Sequence, residues 1–357
     1  MSDFHKNMMS TYTKSLDNFY PDNIDWEIRK PGKHRWLKLQ FETLVNWLLR
    51  FMGRDSVVTF SSGNNYFCRH VDLFEETYSL LRDDSSKKRY IELLAYKMLG
   101  FTKVKLTLNN DDYWASRAKV DLFKRAEKIP VNFRKGYLDL YDLTGAGYDL
   151  KLYFVQNGIF VDFILQQYNY QDIVCVNKGD VVIDAVGCWG DTALYFAARG
   201  AEQVFVYEFI PSNIEILKKN LSLNPQYEGK ISLVDKAVWE KSAIDLSFVD
   251  RGPASQVAAA GVHTGVTQTL SIDDLVKEKR LSKVDFIKMD IEGAELSALN
   301  GAEDTIRKHK PKLAISVYHK QDDLITIPAY IQSLNSEYEF YLDYYTIFGD
   351  EIVLYAI

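Results

Sequence analysis

Four side chains stand where strand-like runs end, in places a bound molecule could reach. Val284-Asp-Phe-Ile-Lys-Met-Asp290-Ile-Glu292-Gly293-Ala-Glu295 reads as a buried strand ending in three carboxylates, and Leu313-Ala-Ile-Ser-Val-Tyr-His319 ends in an imidazole. In open α/β sheets ligands bind beyond the carboxyl ends of the strands, so Asp290, Glu292 and His319 are expected to face one cleft. Groups of these types can accept a proton from an attacking hydroxyl, and one positioned base suffices for a simple group transfer. Asp290 carries the strongest expectation, because an acid on a buried strand tip costs desolvation unless something binds there. Glu295 sits at a helix start, where the helix dipole alone favours an acid. Asp290, Glu292 and His319 could also hold a divalent cation, but no tighter ligand spacing supports one, and no metal is expected.

A second group of residues points to a cofactor. Val181-Val-Ile-Asp184-Ala-Val-Gly187-Cys-Trp-Gly190-Asp-Thr192 reads as a buried strand breaking into a glycine turn that opens a helix. Glycines let a backbone approach a ligand closely, and the free N–H groups of a helix start attract negative charge. Val204-Phe-Val-Tyr-Glu208 is a second strand ending in a carboxylate, at the distance from the turn that suits the two hydroxyls of a ribose. Strand, glycine turn, helix, strand and acid make a nucleoside-binding half-unit. The expected contacts are Asp184, Gly187, Gly190 and Glu208, with Asp235 a weaker candidate on the adenine side. NAD and S-adenosylmethionine both fit such a unit. The Gly187-x-x-Gly190 spacing departs from Gly-x-Gly-x-x-Gly and speaks mildly against a pyrophosphate.

The elements that must position these residues follow from periodicity. Between about Asn23 and Arg134 the pattern is mostly helical. Trp36, Leu39, Leu44, Trp47, Leu48 and Phe51 recur at helical spacing before Gly53, and Tyr90, Ile91, Leu94 and Leu99 follow a capping Asp83-Asp84-Ser85-Ser86 before Gly100. From Lys135-Gly136 the texture changes. Tyr137 to Leu143 and Tyr148 to Val155 read as a hairpin with Gly145 and Gly147 in its turn, and Ile159 to Tyr168 reads as a helix over the cleft. After residue 180 strands and helices alternate, with one helix expected over Leu296–Lys308, which implies a parallel sheet covered by helices. The chain closes with Phe340–Phe348, Gly349-Asp350 and Glu351–Ala356, a hairpin that puts the last strand antiparallel to the rest. Dinucleotide dehydrogenases keep this sheet parallel to its end, whereas the terminal hairpin marks the methyltransferase version, so S-adenosylmethionine is preferred over NAD.

Composition bounds the remaining choices. At 357 residues, with 47% hydrophobic and 26% charged residues, the chain can bury a large core and shows no disorder signature. A net charge of −6 and the absence of a long basic stripe argue against nucleic acid as partner. No run approaches a membrane span and the start lacks a signal-peptide core, so a cytosolic protein is expected, with oligomerisation left open. Cys68, Cys175 and Cys188 are odd in number and far apart, which fits neither a zinc site nor a disulfide framework.

Residues 136–357 resemble the FkbM family of S-adenosylmethionine-dependent methyltransferases. The likeness runs through Gly179-Asp-Val-Val-Ile-Asp184, Gly187-Cys-Trp-Gly-Asp-Thr192, Lys288-Met-Asp-Ile-Glu-Gly-Ala-Glu295, Ile315-Ser-Val-Tyr-His319 and Val353-Leu-Tyr-Ala356. Residues 70–114 are similar to a helical extension carried by some members. The resemblance implies a Rossmann-like class I methyltransferase sheet over 136–357, a mainly helical region over 1–135, and O-methylation of a sugar or glycan hydroxyl or a related metabolite. Val186 departs from the family's usual glycine, and Leu342-Asp-Tyr-Tyr345 from its frequent Leu-Arg-His-Tyr. The alternatives are a non-catalytic glycan-assembly partner with the same fold, to which Val186 lends weight, and an NAD-dependent dehydrogenase.

Overall fold

A computed structural model describes residues 2–20, 23, 63–131, 136–250, 252, 255–257 and 264–357. The helix expected over Trp36 to Phe51 lies outside the described residues. The chain divides into two compact units, residues 1–114 with 341–352 and residues 115–340 with 353–357.

The first unit is built from helices such as Asp3–Leu16, Val71–Leu80 and Asp84–Leu99. The last starts and stops where its sequence directs: Asp83 accepts the Ser86 N–H at 2.7 Å, and Gly100 leaves the helix at φ +81°. It buries Tyr90, Ile91, Leu94 and Leu99. In the same unit the Tyr345 N–H donates to the Glu351 carbonyl at 3.1 Å, closing the terminal hairpin turn with Gly349 at φ +69°.

The second unit opens with an antiparallel sheet, β1 (Lys124–Val131), β2 (Gly136–Asp142) and β3 (Lys151–Phe154), in that order. β2 and β3 are the expected hairpin, with Gly147 at φ +92° in its turn. β1 corrects the helical reading that ran to Arg134. Lys-Arg-Ala-Glu-Lys-Ile-Pro-Val has no apolar 3.6 period, and Pro130 opposes a helix, so the segment pairs with β2 and leaves most of its side chains exposed. The helix expected from Ile159 to Tyr168 is a shorter π-helical turn, Ile159–Ile164. The Leu165 N–H reaches back to the Phe160 carbonyl at 2.8 Å, and Gln166 ends the turn at φ +55°.

The central sheet has seven strands, among them β4 (Val181–Asp184), β5 (Gln203–Tyr207), β6 (Ile231–Val234), β11 (Phe286–Met289), β12 (Lys312–Ser316) and β14 (Ile352–Ala356). These run in the order β6-β5-β4-β11-β12-β14. The first five are parallel, and β14 runs antiparallel to β12, with Leu313 opposite Ala356 and Ile315 opposite Leu354. Helices Asp191–Ala198, Pro211–Ser222, Ile272–Lys279 and Asp323–Leu334 lie in the connections, so the α/β architecture is the one expected. Val182, Ile183, Phe286, Ile287, Leu313 and Ile315 fill the core with no exposed surface. Strand β13 (Phe340–Tyr344) precedes the hairpin turn.

Two features were not read from sequence. Between β6 and the helix Ile272–Lys279 the chain makes a small sheet, β7 (Ala237–Val238), β8 (Asp245–Val249), β9 (Gln256–Val257) and β10 (Gly265–Leu270), ordered β7-β10-β8-β9. The expected helix over Leu296–Lys308 is two helices, Glu295–Asn300 and Glu303–His309. They break at Gly301, where a Cβ would lie 2.1 Å from the Trp239 carbonyl oxygen. No described helix is long and apolar enough to cross a membrane.

Because the obstacle at Gly301 is backbone, Gly301→Ala should destabilise the protein by roughly 1–3 kcal/mol. Chemical denaturation that showed an unchanged midpoint would contradict this packing.

Candidate functional site

The turn after β4 is shaped by two glycines with different duties. A Cβ on Gly187 would stand 1.9 Å from Val206 Cγ2, so this residue lets the turn lie against β5, and its N–H donates to the Tyr207 carbonyl at 2.8 Å. Gly190 takes φ +84° and starts the helix Asp191–Ala198. Between them Cys188 adopts φ +42°, a conformation few non-glycine residues accept. Val186 is not among the residues with positive φ, so its backbone conformation does not require glycine.

Beneath the turn lies a buried ion pair. Lys288 Nζ is 3.2 Å from Asp184 Oδ1 and donates to the Val186 carbonyl at 2.7 Å, with both side chains almost wholly shielded from solvent. The Thr192 hydroxyl donates to Asp184 Oδ2 at 2.5 Å. Burial pushes the Asp184 carboxyl up, opposed chiefly by the Lys288 charge. Burial also works against the Lys288 ammonium, yet Asp184, Asp290 and Asp191 outweigh it and keep the lysine charged.

Glu208, at the end of β5, is held by its own chain. Its Oε1 accepts the N–H groups of Phe209 and Ile210 at 2.8 and 2.7 Å, and its Oε2 accepts Asn213 Nδ2 at 3.2 Å. Asn213 in turn accepts the Trp189 indole N–H at 3.0 Å, which ties this carboxylate to the glycine turn. Burial raises the Glu208 carboxyl to about 7 despite those donors.

The acidic strand tip is organised around His319. Its Nδ1 lies 2.8 Å from Glu295 Oε1, while its Nε2 lies 3.4 Å from Asp290 Oδ1 and 3.9 Å from Glu292 Oε2. Burial lowers its pKa, but its hydrogen bond to Glu295 and the charges of Asp290, Glu295 and Glu292 prevail and raise it to about 9. At that pKa the ring is mostly protonated at neutral pH. Asp290 also receives the hydroxyls of Tyr168 on Oδ2 at 3.4 Å and of Tyr318 on Oδ1 at 3.3 Å. Glu295 does more than answer the helix dipole. Its Oε1 accepts the Ile291 N–H at 2.9 Å and the Gly293 N–H at 3.4 Å, pinning the turn in which Glu292 takes φ +55°.

One open cavity brings these parts together. Its walls include Val186, Cys188, Glu208, Phe209, Asp290 and Glu292. Asp184, Gly187, Gly190 and His319 stand behind the lining, and Asp235 is exposed just after β6, outside it. Ala237, Val238 and Leu246 of the small sheet line another side. Sequence reasoning missed Lys288, Asn213, Tyr168 and Tyr318. A lysine inside the apolar run Phe286–Met289 was the available signal for the first. Asp290, Glu295 and His319 offer ligand atoms all within 4.8 Å of one another.

Residues 174–340 match the methyltransferase FkbM domain. No curated protein matches the chain. Among solved structures, the methyltransferase FkbM from Methylobacillus flagellatus KT is similar over 92% of this chain and 71% of that one, with 20% identity and a TM-score of 0.55. Fibrillarin from Aeropyrum pernix, solved with natively bound S-adenosyl-L-methionine, is 12% identical over 54% of this chain and 74% of that one, with a TM-score of 0.34. An rRNA methylase from Streptococcus thermophilus is 14% identical over 51% and 87%, with a TM-score of 0.33.

The raised pKa of His319 has a sign that can be checked. An unfolded histidine titrates near 6.5 and this one at about 9, so its stabilisation is complete below about 6.5 and is lost as pH rises through 9. The stability gap between wild type and His319→Gln, up to roughly 3 kcal/mol, should therefore shrink from pH 6.5 to pH 10. Equal gaps at both pH values in urea titrations would refute the buried imidazolium.

Proposed function

We propose that this chain, whose residues 174–340 match the methyltransferase FkbM domain, uses S-adenosylmethionine to methylate a hydroxyl of a sugar or glycan intermediate in the cytosol. One observation carries the reading. A single cavity has Glu208 in one wall and Asp290 with Glu292 in another.

The residues present fit the methyl donor. Glu208 is a carboxylate set among Phe209, Ile210 and Val238, a combination suited to the diol of a ribose beside a flat apolar base. Val186 and Cys188 offer their wall to the rest of the molecule, and Gly187 and Gly190 permit that turn. Asp235 remains a candidate on the adenine side. When bound, S-adenosylmethionine supplies a methyl group activated by its sulfonium.

The chain has then to hold the acceptor hydroxyl in line and take its proton. Asp290 is the proton acceptor in this reading. Tyr168, Tyr318 and His319 fix the plane of its carboxylate. Glu292 would receive a neighbouring hydroxyl, which suits a polyol. His319 carries its proton and holds the carboxylates apart from mutual repulsion. Among the described residues no lysine or arginine lines the cavity, which favours an uncharged acceptor over a phosphate backbone.

Four measurements test this. Asp290→Ala should lower S-adenosylhomocysteine formation with cell-extract glycans by at least about 100-fold while the protein still binds S-adenosylhomocysteine. Mass spectrometry of surface polysaccharide from a deletion strain should show one methyl increment missing, and an unchanged glycan profile would remove the acceptor class from consideration. Calorimetry should show affinity for S-adenosylmethionine falling as pH drops below about 7, where Glu208 takes up a proton, and Glu208→Gln should weaken binding at pH 8 by roughly tenfold or more. Turnover should withstand EDTA.

A further inference from the structure

We infer that Lys288 is a positioning residue for the methyl donor, holding the peptide of Val186 in the conformation that forms the cavity wall. The inference rests on the proposed reading of the cavity as the donor site. Lys288 lies in β11 at the centre of the sheet, paired with Asp184 of β4 on one side and Ala314 of β12 on the other. Only 4% of its side chain is exposed. A lysine so placed is costly to bury, and a buried ion pair is often no more stabilising than apolar residues of the same shape. Stability alone therefore gives little reason for a lysine at this position.

What the charge secures is a geometry. Lys288 Nζ donates to the Val186 carbonyl at 2.7 Å and stands 3.2 Å from Asp184 Oδ1. The carbonyl end of the Val186 peptide is thus tied to the ion pair. Neither Asp184 nor Lys288 lines the cavity, whereas Val186 and Cys188 do, so the pair acts through the turn. The turn needs such a clamp, because Cys188 next to it is in the left-handed region and would relax if released. On its other side Lys288 lies 5.4 Å from the Tyr168 ring centre, and the Tyr168 hydroxyl donates to Asp290. One ammonium therefore stands behind both the donor wall and the proton acceptor.

The test separates this clamp from a role in folding. Lys288→Met alone strands the Asp184 charge, so it is paired with Asp184→Asn in a neutral double variant, and Lys288→Arg provides a charge-conserving change whose forked head cannot place the same donor on Val186. Folding is followed by circular dichroism and thermal melting, and binding of S-adenosylhomocysteine by calorimetry. The double variant should melt cooperatively yet bind at least about tenfold more weakly, the scale of one charged hydrogen bond. Lys288→Arg should also weaken binding, and by less. A folded double variant, or a folded Lys288→Arg protein, that binds within about twofold of wild type overturns the inference. Wild type that fails to bind S-adenosylhomocysteine at all overturns instead the reading on which it rests.

Discussion

A charge at the centre of a parallel sheet has to be answered within reach of its own side chain, and in this fold Asp184 and Lys288 answer each other across adjacent strands. The register of β4 against β11 follows from that need as well as from the apolar residues around it. The pair then reaches out to the first residues beyond the strands, where the chain must stop being a sheet and become a wall. The Thr192 hydroxyl donates to it on one side, and on the other it donates to the Val186 carbonyl. The helix after the turn and the turn itself are therefore fixed by the same two charges.

The acidic tip of β11 solves a related problem by different means. Three carboxylates crowd the turn Asp290–Glu295, and the repulsion among them is relieved by one imidazolium placed between them. His319 arrives from the neighbouring strand, so the arrangement depends on β11 and β12 lying side by side. Two tyrosine hydroxyls complete the shell of Asp290 from separate parts of the chain. The outcome is a carboxylate whose orientation is set by three partners from separate segments.

Much of this was legible in the residues, for local reasons. The strand, glycine turn and helix from Val181 to Ala198 announce themselves because apolar runs and glycines have strong short-range preferences, and the terminal hairpin does so for the same reason. Glu208, Asp290 and Glu292 could be placed by being the acids at strand ends. The rest depended on contacts between distant segments. Nothing near Lys288 in sequence says that Asp184 will lie beside it, and nothing near His319 says that each ring nitrogen will meet a different carboxylate. The small sheet from Ala237 to Leu270 escaped notice because its strands are short and partly polar, with no apolar period to detect. The break at Gly301 is set by the Trp239 backbone, far away in the chain.

Strand β1 bears on how the molecule behaves among its own copies. It is the outer member of its sheet, and its far side offers backbone groups that another strand could pair with. Among the described residues, Lys124, Arg125, Glu127 and Lys128 of this strand are exposed, and Pro130 has no N–H to donate. A second chain approaching strand to strand would have to strip water from these side chains and would find the hydrogen-bond ladder interrupted. The open edge is in this way kept from becoming a seed for aggregation.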